Sequence, residues 1–432
     1  MPTRRQALGL SLTVPALWGL AACGPNQSSS SSGGGGAGSL RFMWWGNAIR
    51  DDLTRKAIDA YKDVQPDLTI SGEPADWSGY WDKLATQVAG GDMPEVIQMD
   101  EKYLSEYGNR GALLELADAG LDTSDFEDTS VKAGEVPDKG LLAINAGVNT
   151  PVLLANPAVF EKAGVDLPDD TTWTWDDLID RATRITEKSA KGVYGIQQIG
   201  LVQATFQVYM RQFGKDQYAT DGAGFSAEDA EEFFAYAQKL QDTKASPGAS
   251  LAVEEAGQSV DQSMFSTGKT AMQVAWSNQV VAFDAAAGGD VRVLRMPSMT
   301  GRAADAQLWY KASMYFAVAA KASDPKQAVA FVDWLVNSPD AGKQLLAERG
   351  VPANLEVRKA IEGDLTESDR KAVDFIEDIA GELGETPVIT PQGGGEFEDI
   401  LKRCGEDLLF GRQDAKAAGK ALLDQLTSAI SV

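Results

Sequence analysis

The residues best equipped for chemistry in this chain are its tryptophans, several of which stand where a strand would end. Trp44-Trp45-Gly46-Asn47 closes an apolar run that begins at Leu40, Asp76-Trp77 follows the run 68–73, and Asp100-Glu101 follows the run 95–99. Open α/β sheets place ligands beyond the carboxyl ends of their strands, so these groups are expected to gather at one sheet edge. Flat indole faces suit the C–H surfaces of sugars, while amides and carboxylates pair with sugar hydroxyls. Trp276-Ser277-Asn278 repeats the pattern after the apolar run 271–275, Asn149 lies in a long extended run, and Trp309, Tyr310 and Tyr315 form a further aromatic group. The candidate ligand-binding residues are therefore Trp45, Asn47, Asp76, Trp77, Asp100, Asn149, Trp276, Asn278, Trp309 and Tyr310. Neighbours on a strand face opposite ways, so one of Trp44 and Trp45 belongs to a core and the other to a cleft. Glu101 reads as a solvated loop residue, and Trp173 and Trp175 as packing beside a helix cap.

Composition narrows the chemistry. The chain has 432 residues, with 39 basic against 63 acidic side chains and a formal charge of −24, which disfavours nucleic acid and anionic membrane surfaces as partners. It contains no histidine, so the commonest general base and metal ligand are both missing. Neither a Walker loop nor a dinucleotide fingerprint is present, and Gly393-Gly394-Gly395 reads as a flexible connection. No cofactor and no bound metal are expected. Aromatic faces beside amides and carboxylates fit a small neutral carbohydrate as the ligand. The alternatives are a binder of some other solute or a surface-anchored glycoside hydrolase, for which two spaced carboxylates would suffice.

The elements that must position these residues alternate. Asp51-Asp52 open a helix that Pro66 stops, helical stretches fall at 80–89 and around Leu104, and strands lie between them, which predicts a mostly parallel sheet. The weakly polar extended run 140–154 lacks helix caps and reads as a crossing between domains. Beyond it, a helix begins near Val159 and Thr174 caps another whose first turn carries Asp176 and Asp177. Helices follow at 206–213 and 227–241, and the segment 265–276 turns to strand character. Ser323 with Pro325 and Ser338 with Pro339 start two helices, the second ending at Gly350. Phe397, Ile400, Leu401, Cys404 and Leu408 share one face of a late helix.

The N-terminus reads as an address. Arg4 and Arg5 precede a short apolar stretch that ends in Leu20-Ala21-Ala22-Cys23, resembling a bacterial lipobox in which Cys23 becomes the acylated N-terminus. General secretory and twin-arginine export both remain open. With Cys23 lipidated, Cys404 has no disulfide partner. Residues 24–39, with Ser28 to Ser32 and Gly33 to Gly36, form a flexible tether.

From the lipobox onward the chain resembles the carbohydrate-binding, family 1 extracellular solute-binding proteins of ABC importers, the group that includes maltose-binding protein. The likeness is carried by Trp81-Asp82-Lys83-Leu84 with Gly91-Asp92-Met93-Pro94-Glu95-Val96-Ile97, by Phe160-Glu161-Lys162-Ala163-Gly164-Val165, by Thr172-Trp173-Thr174-Trp175-Asp176-Asp177-Leu178, and by Phe265 to Met272 leading to Trp276. It implies an α/β, two-lobe periplasmic-binding-protein fold of type II, with the ligand enclosed between lobes by hinge closure. Residues 40–148 and 295–352 would form the first lobe, and 149–294 and 353–432 the second. It also implies that Trp276 stacks on the sugar, and that a monomer anchored to the cell membrane delivers its ligand to ABC importer membrane subunits. Two departures stand out: Glu95 replaces the usual Asp, and Ala155-Asn156-Pro157 replaces an aromatic Tyr-Asn-Lys run.

Overall fold

A computed structural model of the chain describes residues 38–219 and 222–430. The lipobox with Cys23, the signal stretch 1–23 and nearly all of the tether lie outside the described residues.

The strand Ser39–Trp45 is apolar on both faces because both are covered. Its alternation sends Phe42 and Trp44 into one core, and Met43 and Trp45 into another on the opposite face of the sheet. It pairs in parallel with Thr69–Ala75 on one side and Val96–Met99 on the other. The six-stranded sheet runs, in spatial order, Val351–Pro352, Ile144–Asn149, Lys311–Val318, Val96–Met99, Ser39–Trp45, Thr69–Ala75. Lys311–Val318 enters antiparallel to both its neighbours, so the sheet is mixed rather than mostly parallel. The reversal arises because the chain returns to this sheet from a second one.

That second sheet has four strands in the order Arg292–Leu294, Pro151–Ala155, Thr270–Trp276, Tyr194–Ile196. Ile144–Asn149 and Pro151–Ala155 are consecutive strands in different sheets with only Thr150 between them, so the expected crossing falls there. Thr150 is held by Ser277, whose backbone N–H donates to the Thr150 carbonyl at 2.9 Å. Ser277 Oγ accepts from the Thr150 N–H at 3.2 Å. The largest core gathers Val152 through Trp309 with Ala372 through Leu426. Met296, Ala306, Leu308 and Trp309 belong to it, so the segment after 295 stays with the second sheet until Lys311. The helix Leu355–Ile361 packs instead with Ala347 and Val351 of the first half. That small core also takes in Val373 and Ile376, so it spans both halves.

Helix starts follow their caps. Thr174 and Asp177 form a reciprocal capping box before Trp175–Lys188, and Pro325 and Pro339 open Pro325–Asn337 and Pro339–Leu345. Asp324, not Ser323, caps the former, and the latter ends at Leu345, short of Gly350. Strand character begins only at Thr270, because Gly268 turns the chain at φ +69° and the Lys269 N–H closes on the Met264 carbonyl. Gly393-Gly394-Gly395 is no loose link: Gly394–Glu396 is a 3₁₀ turn whose Gly394 carbonyl accepts from Tyr218 Oη at 2.6 Å.

Gly195 lets the strand Tyr194–Ile196 lie directly on the helix Trp175–Lys188. A Cβ there would stand 2.2 Å from the Cα and carbonyl oxygen of Ala182. Gly195→Ala is expected to lower stability by about 1–3 kcal/mol, as overpacking against backbone does. Urea denaturation with an unchanged midpoint would contradict it.

Candidate functional site

A cavity of about 630 Å³ opens between the two sheets. The first half supplies Trp45 at the end of its first strand and Asn47 just after it, Trp77 after its second, Asp100, Glu101 and Lys102 after its third, and Asn149, Lys311 and Glu348. The second half supplies Trp276, Asn278, several glutamines including Gln203, Gln207 and Gln273, and the pair Glu398 and Lys402.

Three strand-end residues share a local job. Asn47, Asp76 and Asp100 each cap the following helix, accepting from the N–H of Arg50 at 3.0 Å, Gly79 at 2.8 Å and Lys102 at 3.0 Å. The caps turn three helix N-termini towards the same rim, and Asn47 and Asp100 also line the cavity while Asp76 does not. Trp44 is fully buried in the core, and Trp45 lines the cavity with its ring 5.1 Å from that of Trp77. Trp77 is 39% exposed, unusual for so large an apolar ring.

Trp276 lies across the cavity with the Lys311 ammonium 5.4 Å from its ring centroid. Trp309 and Tyr310 stand outside the lining. Trp309 is buried edge-on behind Trp276 at 6.4 Å, under the Arg211 guanidinium, and Tyr310 Oη donates to the Ile376 carbonyl at 2.6 Å. Both brace the second core, because the chain crosses back only after them. Trp173 and Trp175 are buried packing residues.

Amides bridge the halves. Asn149 Nδ2 donates to Asn278 Oδ1 at 3.0 Å, and Asn278 Nδ2 donates to the Glu348 carbonyl at 3.3 Å. This relay leaves Asn149 Oδ1 buried with no partner among the described residues, as is Gln273 Oε1. Each such acceptor costs about 1–3 kcal/mol until a donor reaches it.

Charges in the wall are held in pairs. Arg50 grips Glu348 through Nε at 2.8 Å, and its Nη1 donates to the Trp45 carbonyl, fixing the strand end. Lys311 lies 3.7 Å from Asp100 and 3.6 Å from Glu101. Glu101 opens the helix Glu101–Asn109 and faces the Lys311 ammonium, so it is not a loop residue, and burial pushes its carboxyl above the ordinary value against the pull of Lys311. Glu398 accepts from both Lys102 and Lys402.

The sequence profile described as bacterial extracellular solute-binding protein matches residues 46–341. The chain belongs to that family. Solved structures similar to this solute-binding protein include a periplasmic solute binding protein from Pectobacterium atrosepticum, with TM-score 0.82 and 22% identity over 91% of this chain and 99% of that one. A periplasmic oligogalacturonide binding protein from Yersinia enterocolitica, in complex with saturated digalacturonic acid, gives TM-score 0.80 and 20% identity over 91% and 98%. An ABC substrate-binding protein from Listeria monocytogenes in complex with cycloalternan gives 0.77 and 19% over 91% and 99%. These likenesses show the two-lobe α/β fold.

The charged wall of this solute-binding protein went unforeseen. Arg50, Lys102, Glu348, Glu398 and Lys402 sit on surfaces whose local pattern matches any solvated helix. Lys311 alone carries a signal, a lysine opening the otherwise apolar strand Lys311–Val318.

Burial pushes the Glu398 carboxyl up, and the Lys102 and Lys402 ammoniums outweigh it, holding it at about 2. A depressed carboxyl stabilises the fold above the ordinary carboxylate range and loses that contribution as pH falls towards about 2. The melting-temperature difference between wild type and Glu398→Gln is therefore expected to be constant above about pH 5 and to shrink below it. A difference that grows with acid would refute the assignment.

Proposed function

We propose that this protein captures a sugar or short oligosaccharide in the cavity between its two lobes and hands it to an ABC importer. The single observation that carries the reading is the convergence of Trp45, Trp77 and Trp276 with Asn47, Asp100, Asn149 and Asn278 on one cavity lined from both sheets. The rings would stack on sugar C–H faces, and the amides and carboxylates would take its hydroxyls.

Residues 40–149 with 311–361 would move as the first lobe, and 150–310 with 366–430 as the second. Cys23 would carry the lipid anchor, leaving a monomeric globule tethered at the outer face of the cell membrane. Asp76, Trp309 and Tyr310 drop out of the binding set, since a cap and two braces account for them.

A thermal-shift screen of the protein from Gly38 onward against mono- and oligosaccharides tests the reading, with thin-layer analysis of each hit. A raised melting temperature with the sugar recovered intact is expected. Cleavage would restore a hydrolase, and no shift across the panel would remove the sugar.

A further inference from the structure

Every cation in the cavity lining is spoken for. Arg50 is held by Glu348, Lys311 lies between Asp100 and Glu101, and Lys102 and Lys402 converge on Glu398. Two of these ammoniums also rest on the tryptophans, Lys102 at 5.6 Å from the Trp77 centroid and Lys311 at 5.4 Å from that of Trp276. The Glu398 contact differs in kind from the others, because one carboxylate serves two lysines. Lys402 Nζ lies 3.0 Å from Glu398 Oε1, while Lys102, reaching from the other half of the molecule, meets Oε2. Without that carboxylate the wall would present two adjacent ammoniums to the cavity. Such a pair is the arrangement that attracts a carboxylate ligand.

We infer that Glu398 is a specificity residue: bridging Lys102 and Lys402, and with Asp100 and Glu101 outnumbering the one lysine between them, it balances the charge of the wall and makes the cavity select uncharged sugars and reject those bearing carboxylates. The inference rests on the sugar reading above and adds the ligand's charge to it. A uronic acid entering this site would find its carboxylate beside Asp100, Glu101 and Glu398, with each lysine already engaged. Desolvating it there without a free cation is unfavourable, whereas a sugar hydroxyl can donate to the same carboxylates. Charge-selective binding also follows from repulsion built into the wall, not only from attraction to the preferred ligand. The low carboxyl pKa of Glu398 accords with this, since the group stays ionised across the range in which the protein would meet its ligand.

The test is calorimetric titration of matched neutral and acidic oligosaccharides, such as galactose and galacturonic acid oligomers of equal length beside the neutral hits of the panel. It uses the wild-type protein, Glu398→Gln and Lys402→Met, each checked for an intact melting transition. Wild type is expected to bind a neutral oligosaccharide and to bind the acidic one at least tenfold more weakly. Glu398→Gln is expected to shift the ratio of affinities towards the acidic sugar by tenfold or more, and Lys402→Met to shift it the other way. Acidic sugar bound by wild type as tightly as neutral sugar would overturn the inference while leaving the sugar reading in place. So would an unmoved ratio in a folded Glu398→Gln. No binding of any sugar by wild type would remove the sugar reading and this inference together.

Discussion

Trp276→Ala is expected to weaken sugar binding about thirtyfold or more, the effect of losing a central aromatic worth at least ~2 kcal/mol. The ring sits at the end of the strand Thr270–Trp276, partly buried and lining the cavity, and the Asn149–Asn278 relay links the two halves in the same wall. Truncation removes the stacking face and frees the Lys311 ammonium from its ring, loosening the charge that lies between Asp100 and Glu101. The fold should survive, because Trp309 fills the core behind the ring and the backbone N–H of Trp276 is held by the Gln279 side chain. Calorimetry with a sugar identified in the screen checks it: unchanged affinity in a folded variant would take Trp276 out of the site. Trp276→Phe should recover part of the loss, since it keeps a smaller face.

Arg295→Met carries the largest expected cost to stability, roughly 3 kcal/mol, at the low end for breaking a buried ion pair by removing one partner. Arg295 is buried, with Nε and Nη2 forked onto Glu382 at 2.7 and 2.9 Å and Nη2 also on Asp378 at 2.7 Å. Its backbone N–H donates to Asp170 at 2.8 Å. This joins the strand Arg292–Leu294 to the helix Glu367–Asp378 and to the loop before Thr174. Methionine would fill the volume and leave Glu382 and Asp170 without their cation. Asp378 is largely exposed and would be resolvated, which keeps the figure from the top of the range. At about 2–4 °C per kcal/mol for a large domain, the melting temperature should fall by roughly 6 °C or more. A melt within about a degree of wild type would show the cluster to be solvated, as surface pairs are. Arg295→Lys keeps the charge but loses the fork, and should fall between the two.

What the sequence discloses is local, and these two sites show its reach. Thr174, Pro325 and Pro339 announce their helices because capping and the missing proline N–H act within one turn. Trp45, Trp77 and Trp276 are legible because strand ends in α/β sheets converge. Arg295 and its carboxylates lie 125, 83 and 87 residues apart, and no periodicity records such a pairing. Lys102 and Glu398 are likewise brought together from residues 296 apart. Trp309 and Tyr310 fall outside the lining for a related reason: aromatic type is visible in the sequence, but the side of the crossing on which they stand is decided at Lys311. The antiparallel entry of that strand is invisible too, since direction within a sheet depends on where the chain has been.

Lys311–Val318 occupies the middle of the six-stranded sheet, between Ile144–Asn149 and Val96–Met99. The three early strands pair with one another, but their sheet is not joined to Ile144–Asn149 until more than three hundred residues have been made. Until then Val96–Met99 keeps an open edge. Closing so long a loop before its contacts reward it slows assembly. A chain built this way stays unfinished through most of its synthesis, and its first lobe and its binding cavity come into being in the same event.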